Sequence, residues 1–263
     1  MGRTWTRGAG VVAAVVLTVG LGACGDDDEP EAAEGSSGSG GAAGAADTEA
    51  FCGALTDLND GVMAIEIDES SPEADIVAAG EQLSPSMTAI VDNAPEDLAD
   101  PAGELDAVVQ ALLDGDASTF NADATFATYS AFMADAGTSC GFEQVDVTLV
   151  DYAFEGVPEE LPAGPTTFSV TNASDAEMHE MVVFRVADGV TLSIEEVLEL
   201  PEEESESMVV FGGAAFAPPG ETGATLVDLA PGEYAMACFI PVGSGEEGAP
   251  HFTQGMVQEF TVS

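Results

Sequence analysis

The chain has 263 residues, with 49 acidic side chains against 3 basic ones and 2 histidines, giving a formal net charge of −46. All of the acidic residues follow residue 24, where Arg185 is the single basic side chain. Such a surface excludes nucleic acid and bare anionic membrane as partners.

Arg3 and Arg7 mark a short basic start, Val11 to Leu21 is apolar, and Leu21-Gly22-Ala23-Cys24 follows directly. The apolar run is too short to span a bilayer as a helix. Small residues before a cysteine at its end resemble a bacterial lipoprotein signal. The resemblance implies removal of residues 1–23, acylation of Cys24, and a protein exported and lipid-anchored on the extracytoplasmic face of a bacterial membrane, touching it through the anchor alone. Without an Arg-Arg pair in the basic start, export is expected in the unfolded state. Residues 24–47 are acidic and then rich in Gly, Ala and Ser, as in a flexible tether. Its root-mean-square reach is roughly 25 Å.

Residues 48–142 carry apolar positions at three- and four-residue spacing, such as Phe51, Leu55, Leu58 and Val62, which predicts helices. Ser71-Pro72-Glu73 and Ala94-Pro95-Glu96 look like helix starts, because Pro is tolerated in a first turn and acids suit the dipole there. A further break falls near Asp116 to Asn121. Four helices near 50–66, 72–91, 96–114 and 121–137 are expected, packed as a small antiparallel bundle. With Cys24 assigned to lipid, Cys52, Cys140 and Cys238 remain. Two should pair in an exported protein; Cys52 and Cys140 bracket the helical region, and their disulfide leaves Cys238 as the free thiol.

From residue 143 to 263 the texture becomes one of short alternating segments broken by Gly and Pro: Val145 to Phe154, Thr166 to Asn172, Glu177 to Val186 and Val257 to Ser263. Thr191 to Leu200 is one helix-like insertion, stopped by Pro201. The expected fold class is thus α+β and multidomain, a small N-terminal helical bundle followed by a Greek-key β-sandwich.

Both histidines fall in the second half. His179 opens the apolar Met181-Val182-Val183-Phe184 after Phe168-Ser169-Val170-Thr171-Asn172. His251 lies between Cys238 and Met256, in His251-Phe252-Thr253-Gln254-Gly255-Met256, and Tyr234 precedes Cys238 by four residues. This order resembles the cupredoxins, the Greek-key sandwich of plastocyanin-like proteins, over residues 143–263. The His-x-x-x-Gly-Met ending is similar to that of the blue-copper domain of copper nitrite reductases. The resemblance implies one mononuclear copper held by His179, Cys238 and His251 in a plane, with Met256 as a weak axial ligand. Two imidazoles, one thiolate and a thioether form a set that compromises between Cu(I) and Cu(II) geometries. Alternation puts Tyr234, Met236 and Cys238 on one face of their strand, and Met256, Phe260 and Val262 on one face of the last.

Two features depart from the plastocyanin-like pattern. Twelve residues separate Cys238 from His251, a Gly-rich acidic loop longer than usual, and Glu180 stands where Asn is common beside the first ligand. The usual hydrogen bond between the ligand loops is therefore expected to be lost or replaced.

Three functions follow from this. The first is a membrane-tethered single-electron carrier, with electrons crossing the exposed edge of His251 to a redox partner protein. The second is copper capture or delivery outside the cell, and the third a metal-free recognition module. Two histidines are too few for a self-contained multicopper oxidase or nitrite reductase, so no enzymatic activity is expected. The acidic surface suits a basic redox partner. It also suits solubility or high salt, and its spread over both halves favours that second reading.

Overall fold

The computed structural model describes residues 47–68, 70–244 and 248–263. The expected signal segment, the Cys24 lipidation site and the tether up to residue 46 lie outside them. Among the described residues no helix is long and apolar enough to cross a membrane.

Four helices form the first half: α1 (Thr48–Met63), α2 (Glu73–Asn93), α3 (Ala99–Leu113) and α4 (Asp123–Cys140). Pro72 and Pro95 stand immediately before α2 and before the 3-10 turn Glu96–Leu98 that leads into α3, as the helix-start pattern requires. The Asp47 carboxylate caps α1 by accepting from the Ala50 N–H at 3.2 Å. Phe51, Leu55 and Leu58 point into a core shared with Leu83, Met87, Leu105, Leu112 and Phe132. The Tyr129 hydroxyl, buried here, donates to Asn59 Oδ1 at 3.1 Å. Cys52 and Cys140 are bonded, with Cα atoms 5.7 Å apart. Gly141 ends α4 with φ of 69°, a left-handed turn that a side chain resists, and the chain swings straight into the sandwich.

The second half is a β-sandwich of two sheets. One has the order β2 (Ala153–Glu155), β1 (Glu143–Val150), β4 (Gly164–Asn172), β7 (Thr222–Leu229). The other runs β3 (Glu160–Leu161), β9 (Val257–Val262), β8 (Gly232–Ala237), β5 (His179–Val186), β6 (Val209–Ala217). The pairs β1–β4 and β3–β9 are parallel, so each sheet is mixed. Between β5 and β6 the chain makes two short helices, α5 (Ile194–Leu198) and α6 (Glu202–Glu206). Tyr234, Met236, Cys238, Met256, Phe260 and Val262 share one core, as their alternation predicts.

Helices and sandwich pack against each other. Helices α1 and α4 lie on β7, and α4 also on β4. Leu226 of β7 belongs to the helical core while Val227 belongs to the sandwich core. The Ser130 hydroxyl bonds to the Ala224 backbone. At the closest approach, a Cβ on Gly137 of α4 would collide with the Thr167 side chain, which is itself fully buried. Gly137→Ala is expected to cost about 1–3 kcal/mol, the usual range for overpacking. Urea unfolding of the variant measures it, and Gly53→Ala, where an added Cβ meets nothing, is the matched control.

Candidate metal centre

The site lies where the first residue of β5, the exit of β8 and the turn before β9 converge. Because β5 and β8 are antiparallel neighbours, with Val182 opposite Ala237, the chain brings His179 and Cys238 to the same end. The long loop after Cys238 is closed at its base. The His251 N–H donates to the Ile240 carbonyl at 2.9 Å and the Val242 N–H to the Ala249 carbonyl at 3.0 Å, with Pro241 facing Pro250 between them. The extra residues are an excursion beyond that ladder, and His251 returns beside Cys238 whatever their number. The Phe252 N–H donates to the Cys238 carbonyl at 2.8 Å. Met256 is tied to both neighbours, its carbonyl accepting from the Cys238 N–H and its N–H donating to the His251 carbonyl, each at 3.2 Å.

His179, Cys238 and His251 are fully buried, each at 0 % exposure, and one donor atom of each lies within 4.8 Å of the others. His179 Nδ1 is 3.1 Å from His251 Nδ1, and Cys238 Sγ is 3.3 Å from His251 Nδ1. Two nitrogens bound to one ion at about 2.0–2.1 Å can be no more than about 4 Å apart, a limit this spacing meets. Met256 is buried at 0 % in the same core.

A hydrogen bond sets the tautomer of His179. His179 Nε2 lies 2.7 Å from Asp151 Oδ1, so its proton belongs there and its Nδ1 presents a lone pair inward. The Ser174 hydroxyl donates to the other Asp151 oxygen at 3.2 Å. Burial alone would raise the Asp151 pKa, but the hydrogen bonds from His179 and Ser174, with the nearby imidazole charges, leave it lowered. His251 Nε2 makes no hydrogen bond and lies 3.6 Å from Glu177 Oε2, beyond hydrogen-bonding range. A proton on Nε2 would face that carboxylate and leave the second Nδ1 lone pair inward for a metal, whereas a proton on Nδ1 would bridge to His179 Nδ1 at 3.1 Å. Only the first arrangement offers two lone pairs and a sulfur to a cation. The donor set is that of a mononuclear copper.

Burial pushes the Cys238 thiol up to about 12, against the N–H groups of Glu180 and Ile240, which lower it. The Glu180 N–H donates to Sγ at 3.4 Å. Glu180 also settles the missing asparagine: its Oε1 accepts from the Phe239 N–H at 2.9 Å, so a carboxylate now ties the two ligand segments together.

One expectation is corrected. His251 has no exposed edge; it is buried at 0 % and covered by surrounding side chains. The partly exposed ring of Tyr152 lies 4.7 Å from its ring, centre to centre. Tyr152 and Asp151 come from the turn after β1, far from the ligands in sequence. Neither they nor Glu177 stood out among the residues, since nothing local marks one carboxylate among 49.

No protein-family model matches the chain, and no curated protein does. Among solved structures, the chain is similar to sodium-dithionite-reduced auracyanin from the photosynthetic bacterium Roseiflexus castenholzii, with 21 % identity over 46 % of this chain and 96 % of that one, at a TM-score of 0.32. Auracyanin A from Chloroflexus aurantiacus, described as a blue copper protein, is 18 % identical over 46 % and 98 % with a TM-score of 0.30. Rusticyanin from Thiobacillus ferrooxidans is 13 % identical over 46 % and 76 % with a TM-score of 0.31.

Proposed function

We propose that the protein is a single-electron carrier tethered outside the cell through lipid on Cys24. His179, Cys238 and His251 would hold its copper, with Met256 as a weaker fourth ligand. The observation that carries this reading is the convergence of two imidazole Nδ1 atoms and one thiol sulfur in a fully buried pocket. Copper, when bound, supplies a one-electron couple. The chain's task is to hold the donors still. Asp151 holds the His179 ring, the Ile240–His251 ladder holds the second ring, and core packing on both sheets holds Cys238 and Met256. Rigid donors keep rearrangement small when the charge on the site changes.

Burial also separates this reading from copper delivery. A site that hands over its ion needs ligands that a recipient can reach, and here all three are enclosed. The partner of the carrier is a redox protein.

Titrating Cu(II) into the purified soluble protein is expected to produce intense blue absorption, ~1 equivalent being taken up, as for a His2Cys copper site. Cys238→Ser should stay colourless. Because the thiol must lose its proton on binding, uptake should also release protons and weaken as pH falls. Colourless wild-type protein after reconstitution, or a blue Cys238→Ser variant, sinks the proposal.

A further inference from the structure

Glu177 stands where the two ligand-bearing segments meet. Its backbone is set before its side chain acts. The buried Asn172 side chain donates to the Glu177 carbonyl and to the Ala217 carbonyl, both at 2.8 Å, and accepts from the Ser174 N–H at 2.9 Å. The Ser174 hydroxyl in turn accepts from the Glu177 N–H at 2.9 Å. The segment between β4 and β5 is thus cross-braced, and the Glu177 carboxylate is delivered to one place.

From there it does two things. Both of its oxygens accept from the Gly243 N–H, at 3.1 and 3.0 Å, one residue beyond the ladder that closes the His251 loop. Its Oε2 also faces His251 Nε2 at 3.6 Å, and its side chain is only 15 % exposed, so its charge acts at short range and is weakly screened. A negative charge on the Nε2 side favours the tautomer with the proton there, which frees Nδ1 for the metal. Asp151 does the same for His179 by direct hydrogen bond.

We propose that Glu177 is a positioning residue of the metal centre, pinning the loop that carries His251 to the segment that carries His179 and holding His251 in the tautomer that presents Nδ1. This rests on the copper reading above. Carboxylates behind ligating histidines commonly change metal affinity by about 10- to 100-fold.

Two variants separate the two tasks. Glu177→Gln keeps an acceptor for Gly243 but replaces the charge with an amide that can donate to His251 Nε2. In metal-free protein it should retain slow exchange of the Gly243 amide, while nitrogen NMR of His251 shows a shift toward the Nδ1–H form. Glu177→Ala should lose both, with Gly243 exchange about tenfold faster or more. In copper-loaded protein both variants should release copper to a chelator about tenfold faster or more than wild type. If Glu177→Ala fails to fold, Glu177→Gln decides alone. A wild-type His251 tautomer and release rate in Glu177→Gln, or wild-type Gly243 exchange in Glu177→Ala, overturns the proposal. Should wild-type protein take up no copper, the copper reading falls, while the tautomer and exchange measurements on metal-free protein still decide the role of Glu177.

Discussion

Replacing Cys52 and Cys140 together by alanine should lower the unfolding free energy by about 4–5 kcal/mol, with little change in the copper spectrum of the molecules that remain folded. The bridge closes a segment 88 residues long, from the first turns of α1 to the last residue of α4. On the chain-entropy model, a loop of that length in the unfolded chain forfeits freedom equivalent to that energy. The loss is set against a net stability of about 5–15 kcal/mol for a typical domain, so the variant should be marginal. Both cysteines sit at the margin of the helical core rather than inside it, and alanine leaves no large cavity. The denaturation midpoint of the variant measures the effect. A midpoint equal to wild type would mean that the unfolded chain is not constrained by the bridge.

Copper should raise the melting temperature, and the metal-free protein should weaken in mild acid. At free copper a thousandfold above Kd, binding to the folded state alone stabilises by about 4 kcal/mol. That is roughly 8–16 °C for a domain of this size. The pH effect follows from His251, whose pKa is lowered by burial and then by the neighbouring His179. In the unfolded chain the imidazole takes up a proton near pH 6.5, whereas in the folded metal-free protein it resists until lower pH. Between those two values the unfolded state holds more protons, so stability is fully present above about pH 6.5 and declines as pH falls. Each unit within that window costs about 1.4 kcal/mol. Calorimetry of metal-free protein at several pH values checks the slope, with His251→Gln expected to flatten it. A melting temperature that ignores copper, or that rises toward pH 5, would contradict this account.

What could be read from residues alone has a physical pattern. The helices were legible because Pro72 and Pro95 mark their starts and the apolar spacing is regular, even across Pro85 inside α2. The three converging donors were legible because their residue types are scarce: two histidines and, with Cys24 assigned to lipid, one cysteine outside the disulfide. Strand β6 was not, and β7 showed only at its end, where Leu229 precedes the turn Ala230-Pro231-Gly232. Gly212, Gly213, Ala214 and Ala215 carry little side-chain signal, and β7 is buried on both faces by helices and sandwich, which erases alternation. The supporting groups Asp151, Tyr152 and Glu177 were invisible because their roles depend on which turns meet in space. The exposure of His251 was misjudged for the same reason.

The seat of α4 on the sandwich carries a practical consequence. Ala224 and Leu226 face the helices, and the collision point at Gly137 shows how tightly the two layers are fitted. Trimming the chain after Gly141 would therefore uncover an apolar strip along β7, an edge of its sheet, and invite strand-to-strand aggregation. Spectroscopists who want the copper centre in solution should keep the helices, and let the shortened fragment serve as a test of how far the helices act as a chaperone for the sandwich.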